Sequence, residues 1–221
     1  MKRSTFFAFM APSLISMLVL MIVPLVMAIW LGFQSFSYWT MDTPRFVWLQ
    51  NYQDILADSK FWEAVKFTFS IIAIVTPTEM LIGFIIALLL DQVPKRKRGI
   101  YIALCLTTYV SVPIVASYMF RGLFQPGGLG SWSFEQITSH RLILNETTIK
   151  SLIMVYGVWR DTPFVVILVF AGLQSLSSEL LEAAAIDGAN RWQQLRYVTL
   201  PHLAPLLLLI AMIVIMALFS V

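Results

Sequence analysis

Charge is what this sequence has least of. Only 12% of its 221 residues are Asp, Glu, Lys or Arg, against 59% hydrophobic ones, whereas a soluble domain carries about a quarter charged residues. Mean hydropathy is +0.81, so the chain is expected to sit mostly in lipid, with no separate aqueous domain. Cysteine is nearly absent: Cys105 is the only one and lies inside an apolar run, which excludes an intrachain disulfide. Histidine is limited to His140 and His202. Neither has metal-like or triad-like partner spacing, and both read as incidental. No GxxxxGKS/T phosphate loop occurs, and the glycines of GGLGSW follow no soluble strand, so no nucleotide chemistry is expected of this chain. The net charge of +3 and isoelectric point near 9.1 do not indicate nucleic acid. The basic residues collect in short loops and form no extended basic face.

Long apolar runs dominate instead. About 20 such residues cross the hydrocarbon layer as a helix, and five segments qualify: roughly 6–33, 67–90, 99–120, 151–174 and 201–221. The expected fold class is an all-α membrane protein, a polytopic helix bundle, with 1–221 as one transmembrane domain. The fifth span is still apolar at Val221, so a sixth is expected beyond it. The start, MKRSTFFAFMAPSLIS, has the basic-then-apolar order of a signal peptide. Its apolar run is too long and lacks a small-residue cleavage site, so a retained span is expected. Lys2, Arg3, Lys95 to Arg98, Arg191 and Arg196 fall on one side; Arg45, Lys60, Lys66, Arg141 and Lys150 are spread over longer stretches of the other. The positive-inside rule then puts the N-terminus in the cytoplasm, with PKRKRG as the topology anchor. A proline stands in or beside every span (Pro12, Pro24, Pro77, Pro113, Pro163 and Pro205), read as ordinary membrane-helix kinking in preference to hinges.

The same topology puts residues 175–200 in a cytoplasmic loop. Serines and then Glu179 and Glu182 suit a helix start, alanines sustain it, and Gly188 is placed for a left-handed stop. Asn190 can cap a second short helix, and Leu200-Pro201 closes the loop into the fifth span. One reading is an interfacial hairpin that merely joins two spans. The loop is, however, about three times longer than the 2–8 residues such a connector needs. Small residues around a carboxylate suit a protein docking surface that offers an arginine.

Within the spans, Glu79, Arg160 and Asp161 are ionisable groups that hydrocarbon would exclude unless they face the bundle interior or water. They are read first as a structural ion pair, Arg160 with Glu79 or Asp161. The second reading is a polar wall facing a hydroxyl-rich or anionic solute, with Trp159 and Phe164 stacking on its flat face. Asn145-Glu146-Thr147 matches a glycosylation acceptor, and the match by itself carries no weight.

Glu182-Ala183-Ala184, then three residues, Gly188, then nine residues, then Val198-Thr199-Leu200-Pro201 resembles the EAA loop of permeases of ATP-binding-cassette importers, with Val198 where the family has Ile. EAAAIDGANRWQQLRYVTLPHLAP is similar to the carbohydrate-uptake branch, typified by maltose and glycerol-phosphate permeases. NYQDIL, LFQPGGLGSW and VWRDTPFVVILVFAGLQSL look like that branch too. The resemblance implies a six-helix core, of which five spans are visible here, in a multi-pass protein of a bacterial cytoplasmic (inner) membrane. The implied partners are a second permease subunit, homologous but not identical, two ATP-binding subunits and an extracytoplasmic solute-binding protein. The chain would bind no cofactor, and Mg-ATP would be used by the partner subunits. Glu182 would pair with a basic residue of the ATPase cleft, Ala183 and Ala184 would pack closely there, Gly188 would provide the turn between the two coupling helices, and Asp187 would belong to the same coupling set. Leu200 and Pro201 would tie the motion to the fifth span. Sugar import is the expected function. The alternatives are the same architecture for glycerol phosphate or another solute, or a membrane-embedded enzyme or sensor built on Glu79, Arg160 and Asp161.

Overall fold

A computed structural model describes residues 3–35 and 45–219, without the side chains of 3–6 and 8. Lys2 and the last two residues of the fifth expected span lie outside the described residues. The chain divides into two compact units, Met1–Lys66 and Phe67–Val221.

In the first unit, α1 (Arg3–Gly32) contains no acidic residue in its first turn and runs on through Pro12 and Pro24. Among the described residues, no side chain of the most apolar part of its stretch Phe9–Gly32 is buried. A face of that size is untenable in water and costs nothing in hydrocarbon. Beyond it, β1 (Gln34–Ser35) pairs antiparallel with β2 (Arg45–Phe46), Gln34 opposite Phe46. The Asn51 amide at the start of α2 (Gln50–Ala57) donates to the carbonyls of Gly32 at 3.0 Å and Gln34 at 2.9 Å. The NYQDIL segment thus closes the end of α1, whose last carbonyls have no intrahelical donor.

The second unit contains most of α3 (Ser59–Gln92), then α4 (Lys95–Val110), α5 (Pro113–Phe124), α6 (Leu129–Thr138) and α7 (Glu146–Gln174). Helix α7 is central, with α4 and α10 (Leu200–Leu218) packed on it. The core is built from Ile71, Val75 and Ala87 of α3, Val165, Val169 and Leu173 of α7, and Leu203, Ile210 and Val214 of α10. Glycines let the helices approach, as membrane bundles require: a Cβ at Gly83 would meet Val165, and one at Gly172 would meet Leu203 and Leu206. Among the described residues, four helices are long and apolar enough to cross a bilayer, and α4 with α5 adds a fifth passage if counted as one.

That fifth passage departs from the expectation of a span over 99–120. The chain bends by 92° between α4 and α5. Pro113 has no N–H to continue α4 and its ring keeps the preceding residue out of helical geometry. Ser111 and Val112 are accordingly extended, at ψ 139° and 127°, and Pro113 opens the new helix at its first turn.

The end of the loop at Pro201 is also corrected. Helix α9 (Arg191–Gln194), a π-helical turn (Leu195–Thr199) and α10 follow one another without a break. Pro201 lies inside a continuous helix from Arg191 to Leu218. A proline ring presses on the carbonyl four residues back, here that of Tyr197. The wider turn, in which the Leu200 N–H bonds to Leu195 O, accommodates that clash without a stop.

Candidate functional site

The loop after α7 forms two helices around a glycine. Helix α8 (Ser178–Ile186) starts after an extended Ser177 and carries Glu179 in its first turn, where a carboxylate favours the helix dipole. It ends in a Schellman motif: Ala189 N–H bonds to Ala184 O at 2.9 Å and Gly188 N–H to Ala185 O at 3.1 Å. Gly188 has φ +85°, a conformation nearly reserved for glycine at this place. Asn190 then opens α9 with a reciprocal capping box. Its Oδ1 accepts from Gln193 N at 2.9 Å, and Gln193 Oε1 accepts from Asn190 N at 2.8 Å. Glu182, Ala183, Asp187 and Gly188 are exposed and Ala184 is half-buried. Beside them Leu180, Ile186 and Trp192 are exposed, Ile186 by 87%. Leu200 and Pro201 stand apart from this patch, within the helix that leads away from it.

The base of the loop is tied. Ser175 Oγ and His202 Nε2 are 3.1 Å apart, joining the residue after α7 to the first turn of α10. Beside it Arg98 reaches three residues, on α3, on α7 and in the turn between α3 and α4. Its Nε donates to Val93 O at 2.7 Å, Nη1 to Gln174 Oε1 at 3.2 Å, and Nη2 to Asp91 O at 2.5 Å, lying 3.5 Å from Asp91 Oδ1. Gln174 Nε2 closes the triangle on Asp91 Oδ1 at 2.7 Å, and the guanidinium lies 5.5 Å from the Phe170 ring centroid. Sequence reasoning took Arg98 as one member of a topology run and His202 as incidental; the structure gives both specific partners.

Inside the bundle, Arg160 Nη1 is 3.1 Å from Asp161 Oδ1, so the ion pair forms with Asp161 and not with Glu79. Glu79 is fully buried, and among the described residues neither carboxyl oxygen has a hydrogen-bond partner; the buried Arg160 Nε and Thr76 Oγ1 likewise have none there. Glu79, Asp161, Phe164 and Tyr109 line a cavity of about 130 Å³, closed on the α10 side by Ile213 and Ala217. That volume holds several waters, and Phe164 stacks on Tyr109 at 5.7 Å. Trp159 is elsewhere: half-exposed, it packs on Phe120 at 6.1 Å and Tyr156 at 6.2 Å. The expected pairing of Trp159 with Phe164 on one sugar face is therefore corrected. Five residues along an α-helix rotate a side chain by about 140° from its predecessor. Tyr109 and Thr76 were not singled out in the sequence: each stands in a short polar cluster, Thr107-Thr108-Tyr109 and Thr76-Pro77-Thr78-Glu79, and Thr76 lying three residues before Glu79 was the available signal.

Comparison with known proteins agrees with this architecture. Residues 79–220 match the family model of the binding-protein-dependent transport system inner membrane component. The chain is 32% identical to a probable ABC transporter permease of Sinorhizobium fredii, over 95% of this chain and 69% of that protein. It is 30% identical to the trehalose transport system permease of Mycobacterium tuberculosis, over 92% of this chain and 66% of that protein. It thus spans about two thirds of the length of these relatives. A crystal structure of a bacterial ABC transporter involved in import of the acidic polysaccharide alginate superposes with a TM-score of 0.77 at 18% identity, covering 98% of this chain and 74% of the other, a likeness of fold. The helical bundle, the matched residues and the identity to its relatives together place the chain in the family of binding-protein-dependent transport system inner membrane components.

Proposed function

We propose that this chain is one of two permease subunits of a sugar importer, coupled to cytoplasmic ATPase subunits through α8 and α9. The observation that carries the reading is the α8–Gly188–α9 hairpin, with Glu182 and Ala183 exposed beside Leu180, Ile186 and Trp192. A carboxylate framed by small and apolar side chains suits a cleft that supplies an arginine and close packing. Ala184 and Asp187 complete that face; Leu200 and Pro201 pass its displacement into α10. In this reading the N-terminus and the Lys95–Arg98 start of α4 are cytoplasmic, Mg-ATP is consumed by the partner subunits, and an extracytoplasmic binding protein delivers the solute.

Within the membrane, Glu79, Asp161 and Phe164 would line the translocation pathway, with Arg160 fixing Asp161 and Trp159 on the neighbouring aromatic face. The relative named for trehalose supports a sugar as cargo. So does the cavity: carboxyl oxygens without donors, next to a stacked aromatic pair, accept from sugar hydroxyls and offer little to a phosphate.

Glu182→Lys tests the coupling. In proteoliposomes holding the complete transporter, the variant is expected to insert and assemble normally while uptake falls far below ATP hydrolysis. Wild-type uptake per ATP in this variant would sink the assignment.

A further inference from the structure

A topology anchor needs only positive charge near a span end, and Lys95, Arg96 and Lys97 already supply it. Arg98 does something a charge alone cannot. A cation in the first turn of a helix is disfavoured by the helix dipole. Arg98 occupies that place in α4 but turns its guanidinium to the carbonyl end of α3, where a cation is favoured, through Asp91 O and Val93 O. Its remaining arm holds Gln174, the last residue of α7, which also holds Asp91. The bonds join positions 76 and 83 residues apart in sequence, so the ends of α3, α4 and α7 cannot part at this level without breaking them.

The next residue, Ser175, holds His202 across the base of the loop. The hairpin of α8 and α9 therefore enters and leaves the bundle through two residues in direct contact. Just above them, Gly172 admits Leu203 and Leu206 of α10 against α7. We infer that Arg98, Asp91 and Gln174, together with the Ser175–His202 bond, are positioning residues for coupling: they make the ends of α3, α4, α7 and α10 move as one when α8 is displaced. This rests on the reading that α8 docks on an ATPase subunit.

The test uses the complete transporter in proteoliposomes and reads uptake per ATP hydrolysed, with the sugar that the wild type takes up from radiolabelled trehalose and maltose. Arg98→Gln breaks the fork. Arg98→Lys keeps the charge that sets topology but cannot span the three acceptors, because its N–H donors radiate from one nitrogen whereas the guanidinium spreads its donors over a planar fork. Arg96→Gln removes a charge from the same run that makes no such bond among the described residues. Both Arg98 variants are expected to lower uptake per ATP about tenfold, within the usual range of coupling between sites, and Arg96→Gln to leave it unchanged. A wild-type ratio in Arg98→Lys overturns the inference, because charge alone would then suffice. Should the Arg98 variants fail to assemble, Gln174→Ala decides: a lowered ratio supports the inference and a wild-type ratio overturns it. Glu182→Lys in the same vesicles separates the two levels, since an unchanged ratio there removes the docking reading whatever Arg98 does.

Discussion

Gly83 and Gly172 both sit where a neighbouring helix leaves no room for a Cβ, yet they face different obstacles. A Cβ at Gly83 would come within 2.6 Å of Val165 Cγ1 and 2.7 Å of its Cβ, with the Val166 backbone N at 3.3 Å. A β-branched side chain on a helix has one favoured rotamer, so α3 and α7 would have to separate. At Gly172 the nearest atoms are the Cδ2 ends of Leu206 and Leu203, at 2.5 and 2.7 Å, and leucine tips can turn aside. Overpacking of the first kind costs about 1–3 kcal/mol, while alanine at the second site regains about 1 kcal/mol of helix propensity. Gly83→Ala is thus expected to lower the melting temperature in detergent clearly more than Gly172→Ala. Equal melting of the two variants would contradict the close packing of α3 on α7. The same scale separates Arg98 from Lys95 to Lys97: in sequence they form one basic run, and only the phase of α4 turns Arg98 onto Asp91 and Gln174.

At the scale of elements, the hairpin of α8 and α9 is specified locally. Gly188 supplies the left-handed residue, and Asn190 with Gln193 supplies the cap. Helix α9 is too short to persist by its own propensity and depends on that cap and on continuity into α10. Asn190→Ala removes a cap contributing about 1 kcal/mol, which should speed hydrogen exchange of the Gln193 and Gln194 amides about fivefold. Unchanged protection would show that continuity with α10 is sufficient. These features are legible in the sequence because they follow from single residues: a glycine where φ is positive, an asparagine three before a glutamine. The bend at Pro113 is less legible. Proline marks a boundary in any apolar run, and Pro12, Pro24, Pro77, Pro163 and Pro205 all lie inside helices that continue. Only the extended Ser111 and Val112 distinguish a 92° break from a tolerated kink.

For the whole molecule, orientation in the bilayer is the property on which coupling depends. With Cys105→Ser as background, Lys97→Cys is expected to resist a membrane-impermeant thiol reagent added outside intact cells, and Arg141→Cys to react with it. The reverse labelling would place the hairpin of α8 and α9 on the wrong side for an ATPase. The charge asymmetry behind this expectation is a property of loops and can be counted without any structure.

The sequence by itself determined that the chain is a helical membrane protein, where its apolar runs lie, and that a glycine-hinged polar hairpin interrupts them. Hydrocarbon thickness and backbone hydrogen bonding leave an apolar run of that length little choice but a helix. It also marked Glu79, Arg160 and Asp161 as unusual, because a charge in a span is conspicuous in any register. Tertiary structure alone decided which of these groups meet. It paired Arg160 with Asp161, left Glu79 buried beside Tyr109 with no hydrogen-bond partner among the described residues, and sent Trp159 and Phe164 to different faces. It also singled out Arg98 and His202 from residues that looked ordinary. Those outcomes depend on helical phase and on which helix packs against which, and neither is a property of one segment read alone.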